Sequence, residues 1–353
     1  MEQFAQLLAD ANDAYDRDDY EQAIVLFDGA VAVFEANPRP ELRAEAAEAL
    51  FYCGLVQGRL GLTDEAIVAY DYLISLFGLC PELAVLEFVA GAIGNKGAFL
   101  SRKGRFAEAL TAYDEVVNRF GESTEPDLRG QVARALLNKG FTLRELGKPT
   151  DAIAVYDELV ARFDQDEEAL AIREVVATAL VNKADVLGEL ERHEEKEFTV
   201  YDELLALLFD DPEPSIRLII ARALLNHGIA LGSLGRSASA IDVCDNFVVA
   251  FGEDPEPSIR QWVADALTYK ALSLGLLDRK EEEFAAYAEL IERFGEDSDP
   301  ALRERVATAM VIAGRARNRP KWSKRLADLR RVGAAIQRRR VVSSPRAGHR
   351  SAR

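Results

Sequence analysis

The sequence predicts an all-α fold, an α-α superhelix or solenoid of seven helix-turn-helix repeats followed by a capping helix. Three observations carry this prediction. An aromatic residue recurs at a nearly constant spacing, apolar residues follow helical periodicity without sustained alternation, and proline and glycine recur at fixed places in the period. A unit of two helices cannot bury its apolar face alone, so such units stack side by side around one continuous core.

The repeat has a period of 43 residues, with one longer interval of 45. Its marker is an aromatic residue, usually followed by Asp, and a second large apolar residue lies seven positions later. The marker positions are Phe27, Tyr70, Tyr113, Tyr156, Tyr201, Cys244 and Tyr287. The additional residues of the longer interval fall in Asp164–Arg173 and Leu190–Phe198, and we expect both segments to be loops.

Each unit is predicted to contain a long first helix, helix A, and a second helix, helix B. Proline at the first helical position marks the start of helix A, because proline lacks an N–H that would be unpaired there. These prolines are Pro126, Pro214, Pro257 and Pro300. Glycine marks the end of helix A at Gly61, Gly104, Gly147 and Gly235. Helix B carries a small residue four positions before the aromatic residue, which places both on one face.

Seven complete units end near Glu296, and an eighth helix A follows without an obvious partner. We therefore expect a repeat domain over residues 1–314. A half-repeat at the end of such an array is typical of a cap, which covers the last apolar face.

The charge is distributed unevenly along the chain. From Arg315 onward there are 14 basic residues and one acidic residue, which leaves 29 basic and 59 acidic residues in residues 1–314. An acidic body does not favour nucleic acid or anionic membranes but suits cationic partners. No run of 18 apolar residues and no signal-peptide pattern occurs, and the three cysteines form no CxxC pair. We expect a cytoplasmic protein, and the high Ala, Arg and Asp usage is typical of a bacterial one.

The basic C-terminal segment is predicted to form an amphipathic helix over residues 315–342 and a disordered tail over residues 343–353. Trp322, Leu326, Leu329 and Ile336 fall near one helical face. Three interpretations remain open: the helix caps the last repeat, folds back on the acidic body, or binds nucleic acid or an anionic membrane. The candidate residues for binding a polyanion are Arg330, Arg331, Arg338, Arg339 and Arg340.

Two polar residues recur in helix A beside the small residue that faces helix B. One is a Lys (Lys96, Lys139, Lys183 and Lys270). We expect the Asp that follows the aromatic residue of helix B to pair with this Lys or with the Arg that opens an adjacent helix A. The other is an Asn, at Asn95, Asn138, Asn182 and Asn226. An amide can bracket a peptide unit without reading its side chain, or it can hydrogen-bond a neighbouring helix.

The repeat resembles the tetratricopeptide repeat. In one unit Leu136, Gly140 and Leu143 match its helix A, Gly147 its turn, and Ala152 and Tyr156 its helix B. The small residue recurs at Ala11, Gly54, Gly97, Gly140, Ala184, Gly228, Ala271 and Gly314. The period of 43 exceeds the family's usual 34, and the excess lies before helix A.

The resemblance implies that helices A line a concave groove. Some family members hold an extended peptide there with an asparagine ladder, and others clamp a carboxylate with Asn and Lys. By this implication the candidate groove residues are Asn95, Asn138, Asn182, Asn226, Arg134, Phe141, Arg144 and Arg222. A role of the Asn series in binding and a role in stacking the repeats remain equally open.

The sequence shows no convergent set of nucleophile, base or metal ligands, and its three His residues are isolated. We therefore expect a non-enzymatic scaffold without cofactors that binds a peptide or protein partner. The alternatives are an adaptor that contacts nucleic acid or membrane through the basic tail, and a regulatory subunit of a separately encoded enzyme.

Overall fold

The structure, a computed structural model, describes residues 2–163, 169–190, 194–208 and 213–316. These residues form fifteen α-helices, one short 3-10 helix at Pro40–Leu42 and no strand. The helices are α1 Glu2–Asp16, α2 Tyr20–Ala36, α3 Arg43–Arg59, α4 Thr63–Phe77, α5 Leu83–Arg102, α6 Phe106–Phe120, α7 Pro126–Glu145, α8 Pro149–Phe163, α9 Leu170–Glu189, α10 Glu194–Leu208, α11 Pro214–Ser233, α12 Ser237–Phe251, α13 Pro257–Leu276, α14 Lys280–Phe294 and α15 Pro300–Ala316.

The helices form the predicted repeats, with odd-numbered helices as helices A and even-numbered helices as helices B. The chain divides into two compact units, unit 1 over residues 1–219 and unit 2 over residues 220–353. Within each unit, helices that are adjacent in sequence pack against each other, as α3 does with α4 and α13 with α14. The predicted all-α solenoid fold is therefore confirmed.

Proline and glycine mark the helix ends as predicted. Helices α7, α11, α13 and α15 begin at Pro126, Pro214, Pro257 and Pro300. Gly61, Gly104, Gly147 and Gly235 follow helices A with φ between 72° and 79°, the left-handed region that glycine adopts without strain. Asp18 and Asp278 take the same conformation at the corresponding places, as short polar residues sometimes do.

The loop expectation for the longer interval is wrong in part. Helix α9 begins at Leu170 and α10 at Glu194, so Leu170–Arg173 and Glu194–Phe198 are helical. Helix α9 keeps the 20 residues of α7, and α10 keeps the 15 residues of α8. The stacking faces fix these helix lengths, so the additional residues fall within 164–169 and 190–193, between the helices.

The core of each repeat is built around the aromatic residue of helix B. Tyr70, Tyr113 and Tyr156 are fully buried, with at most 1% of their surface exposed. Each ring lies against the small residue of its own helix A. A β-carbon on Gly54, Gly97 or Gly140 would lie 2.7, 2.7 or 2.4 Å from the Cε1 atom of Tyr70, Tyr113 or Tyr156. The glycines thus set the close approach of helices A and B.

Helix α5 has a further property among the described helices. By length and apolar composition alone it would suffice to cross a membrane, although no continuous apolar run predicts this. Half of its apolar window is buried inside the fold, where α5 packs against α3, α4, α6 and α7.

Candidate functional site

The concave side of unit 1 is formed by its helices A. Helix α3 contacts α5, α5 contacts α7, and α7 contacts α9, in addition to their contacts with helices B. Successive helices B do not pack together to the same extent in the described part of this unit. The stack is tighter at helices A, so unit 1 curves toward them and their outward faces line the concave side.

Adjacent repeats in unit 1 are joined by a matched pair of dipeptides. The Asn95 amide donates a hydrogen bond to the Tyr70 hydroxyl at 3.3 Å, and the neighbouring Lys96 Nζ lies 2.5 Å from Asp71 Oδ1. The Asn-Lys of one helix A therefore contacts the Tyr-Asp of the preceding helix B. We call this contact the Asn-Lys/Tyr-Asp junction.

The lysine half of this junction recurs, so the predicted ion pairs are confirmed. Lys139 lies 2.6 Å from Asp114 Oδ1, Lys183 lies 2.7 Å from Asp157 Oδ1, and Lys270 pairs with Asp245. In the first junction Cys53 replaces Lys, and its Sγ lies 3.4 Å from Asp28 Oδ1. These lysines are bound within the repeat stack, which does not favour the carboxylate clamp that some family members form.

The residue at the Asn position of the junction varies with whether the aromatic residue of the preceding helix B has a hydroxyl. Asn95, Asn138 and Asn182 follow Tyr70, Tyr113 and Tyr156, each of which has a hydroxyl. Where Phe27 has none, Tyr52 replaces Asn and stacks on the Phe27 ring, with centroids 6.1 Å apart. Where Ile312 replaces Asn, the Tyr287 hydroxyl is buried and finds no partner among the described residues. The Tyr156 hydroxyl, beside Asn182, also has no hydrogen-bond partner among the described residues. The hydrogen bond of Asn95 and the ring stacking of Tyr52 favour a stacking role at these two positions.

Burial and the neighbouring polar groups have opposite effects on the pKa of the buried phenols. Burial raises the pKa of Tyr70 and of Tyr156 to about 12. The Asn95 amide acts in the opposite direction on Tyr70, whereas on Tyr156 the nearby Arg144 is the main opposing group, because the Tyr156 hydroxyl has no hydrogen-bond partner among the described residues. The hydrogen bond uses one N–H of the Asn95 amide, whereas an amide has a second N–H and a carbonyl oxygen. A fixed amide of this kind is also oriented for a ligand.

The other candidate groove residues of α7 lie on its concave face at helical spacing. Arg134 and Phe141 lie four residues before and three residues after Asn138, and both are exposed. Burial nevertheless lowers the pKa of Arg134, because protein surrounds this solvent-accessible side chain, as in a concave surface. Arg144 lies close enough to Tyr156 to lower the pKa of that phenol.

The remaining candidates lie elsewhere. The exposed Arg222 and the half-buried Asn226 belong to unit 2. Arg330, Arg331, Arg338, Arg339 and Arg340 lie outside the described residues, as do the predicted tail helix beyond Ala316 and the predicted disordered tail.

Carboxylates that the sequence reasoning did not single out also lie on the concave side of unit 1. Glu48 lies four residues before Tyr52 and so takes the place in α3 that Arg134 takes in α7. Glu87 lies eight residues before Asn95. Burial, and then the charge of Glu45, raises the pKa of Glu48, and burial, and then Asp127, raises that of Glu87. One Glu45 carboxylate oxygen is buried and accepts no hydrogen bond from the described residues.

This acidic part of the face contrasts with the rest of the repeat. Four Asp residues of helices B are paired with lysines at the junctions, Asp71, Asp114, Asp157 and Asp245. Glu45, Glu48 and Glu87 form no ion pair with the described residues. The repeat register of the sequence could have found them, because counting back from Tyr52 and Asn95 places these glutamates on the same face. The described residues hold no cluster of potential metal ligands.

Replacing Glu48 by Gln is expected to stabilise the protein at neutral pH. The folded-state pKa of Glu48 is raised, so the folded protein binds its proton more tightly than the unfolded chain, and stability falls as pH rises through this range. E48Q removes this effect and should raise the melting temperature on the order of 1 °C at pH 7. The difference should vanish below the unfolded pKa of about 4.3. Thermal melts at several pH values measure it, and a pH-independent difference would contradict it.

Comparison with known proteins agrees with this architecture. Models of the tetratricopeptide repeat match residues 8–78 and 88–165, both within unit 1. No curated protein matches the sequence significantly.

Several solved structures are similar. The match with RapI in its apo form covers 90% of this chain and 98% of the RapI chain, with 11% identity and a TM-score of 0.51. The match with BtubC from P. vanneervenii covers 72% of this chain and 94% of the BtubC chain, with 14% identity and a TM-score of 0.50. The match with a tetratricopeptide repeat protein from Parabacteroides merdae covers 88% of this chain and 100% of that protein's chain, with 15% identity and a TM-score of 0.46. At identities of 11% and 14%, the similarity to RapI and BtubC shows a common fold alone.

The repeats determine the general role as well as the fold. Tetratricopeptide repeats act generally as scaffolds for protein interaction, and this coarse function applies here. The period, the helix pairs with their small-residue contacts, and the two family matches agree with one another. The chain contains tetratricopeptide repeats, which the family models match over residues 8–78 and 88–165.

Proposed function

We propose that the concave helix-A face of unit 1 binds an extended, positively charged segment of a partner protein. The observation that carries this proposal is that Glu45, Glu48 and Glu87 form no ion pair with the described residues, whereas Asp71 and Asp114 of helices B are paired with lysines. A lysine or arginine of the ligand would neutralise carboxylates that burial and mutual repulsion now destabilise.

The surface around these carboxylates suits an extended segment. A β-carbon on Gly94 would meet no atom within 4 Å, so the chain of a ligand can approach α5 closely beside Asn95. Asn95 is held by Tyr70 and has a further N–H and a carbonyl oxygen with which to bracket a peptide unit. Backbone recognition by amides with side-chain recognition by carboxylates is a common way to bind extended peptides.

The exposed groups of α7 give the ligand a second region of contact. Phe141 exposes 48% of its surface on this face and offers an apolar contact. Arg134 gives α7 a positive charge on this face and lies near Asp127. We therefore expect the positively charged side chains of the ligand to lie at α3 and α5, and its apolar or acidic side chains to lie at α7.

The test is binding of a short fluorescein-labelled peptide that alternates lysine with serine, measured by anisotropy. A peptide that alternates glutamate with serine is the ligand control. We expect the lysine peptide to bind and the double variant E48Q/E87Q to weaken it on the order of tenfold, which corresponds to about 1.4 kcal/mol. Binding should also weaken as salt increases.

The matched protein control is E65Q/D151N. Glu65 and Asp151 are exposed on α4 and α8, which are helices B, and the double variant changes the net charge equally. This control should bind as the wild type does. Equal weakening by both double variants, or equal binding of both peptides, would refute a specific acidic groove.

A further inference from the structure

The last described helix exposes an apolar face that is buried in helices A from the second repeat to the seventh. Met310 of α15 exposes 49% of its surface. The residues at its place in helices α3, α5, α7, α9, α11 and α13 are between 0% and 5% exposed: Leu50, Ile93, Leu136, Leu180, Leu224 and Leu267. The face of α15 around Met310 is therefore a core face without its cover.

A second position of this face behaves in the same way. Ala307 is exposed, whereas its counterparts are fully buried: Ala47, Ala90, Ala133, Ala177, Ala221 and Ala264. Val311, beside Met310, is 54% exposed. The opposite face of α15, with Leu302, Val306 and Ala309, is buried, and α15 packs on α13 and α14. The missing cover therefore belongs on the side of helix B of the eighth repeat.

The chain that follows α15 carries the apolar pattern of such a helix. Helices B place apolar residues at intervals of 3, 3 and 4, as Phe284, Tyr287, Leu290 and Phe294 do in α14. Leu326, Leu329, Val332 and Ile336 repeat these intervals, and Leu329 lies 42 residues after Tyr287, one fewer than the period. The segment is therefore in the register that an eighth helix B requires.

We propose that residues 322–336 cover this face of α15 as the second helix of an eighth repeat. Connectivity favours this occupant, because the segment begins a few residues after Ala316, and an intramolecular contact has a high effective concentration. A second copy of the chain would lose translational and rotational freedom on binding the same face. Lys324, Arg330 and Arg331 fall outside the apolar intervals of this segment.

The test uses the full chain with the double variant L326D/L329D and amide hydrogen exchange of α15. We expect exchange of α15 to accelerate about tenfold or more, since each 1.4 kcal/mol of lost protection corresponds to about tenfold. The matched control R330Q/R331Q should leave exchange of α15 unchanged. A chain that ends at Gln337 should behave as the full chain, whereas one that ends at Ala316 should behave as L326D/L329D and self-associate through Met310.

Three results would overturn the proposal. One is unchanged exchange of α15 in L326D/L329D and in the chain that ends at Ala316. Another is protection of α15 that disappears on dilution of the full chain, which would assign the cover to a second copy. The third is salt-sensitive binding of a DNA duplex through Arg330 and Arg331 with α15 unaffected by L326D/L329D, which would assign the segment to polyanion binding.

Discussion

The variant Gly140→Ala is expected to lose stability, although alanine is the better helix former. A β-carbon at this position would lie 2.4 Å from Cε1 and 2.7 Å from Cζ of Tyr156, and the Tyr156 ring is fully buried. Such overpacking costs about 1–3 kcal/mol, and the gain in helix propensity of up to about 1 kcal/mol offsets only part of it. We expect a melting temperature lower by about 2–6 °C.

The matched control is Gly94→Ala in α5. A β-carbon at Gly94 meets no atom within 4 Å, so only the helix propensity changes and the variant should be as stable as the wild type or more stable. Thermal melts followed by circular dichroism measure both. The seventh repeat has Ala271 opposite Tyr287, so α13 and α14 are spaced for a methyl group, whereas α7 and α8 are not. Equal stability of G140A and G94A would show that α8 shifts away at no cost.

The variant Asn95→Ala is expected to lose about 1–3 kcal/mol. Tyr70 is fully buried, and its hydroxyl loses the amide that donates to it at 3.3 Å. An unpaired buried polar group costs more than the hydrogen bond contributed. Replacing both partners, as in Y70F/N95A, should recover most of the loss, because no polar atom is then left unpaired.

A double-mutant cycle of Tyr70 and Asn95 measures this coupling, and urea titration gives the stabilities. The control is Tyr287→Phe, which should change stability by less than about 0.5 kcal/mol, because the described residues offer that hydroxyl no partner. A coupling near zero between Tyr70 and Asn95 would remove the structural account of the Asn series. The loss in N95A also means that binding defects of Asn variants need comparison with their stability.

The sequence predicted the parts of the structure that depend on local rules. Helix ends followed from Pro126 and Gly147, and the pairing of Lys139 with Asp114 followed from repetition of both charges. The role of Asn95 was left undecided, because a half-buried amide looks the same in a sequence whether it contacts a ligand or a tyrosine.

The glutamates of the concave face were missed for a different reason. Whether Glu48 lies on an open convex surface or in a concave face depends on the curvature of unit 1, which arises from contacts between repeats. A single helix contains no information about that curvature. The uncovered face of α15 is a similar case, because Met310 looks like any core residue until its exposure is compared with that of Leu267.

The Asn-Lys/Tyr-Asp junction has a consequence for how the array can grow. The repeats α5/α6, α7/α8 and α9/α10 each carry Asn-Lys for the repeat before them and Tyr-Asp for the repeat after them, so a tandem copy of such a repeat supplies both halves of a new joint. Duplication can therefore lengthen the middle of the array without compensating substitutions. The joint between Phe27 and Tyr52 uses different partners, which fixes the first repeat at its place in the order.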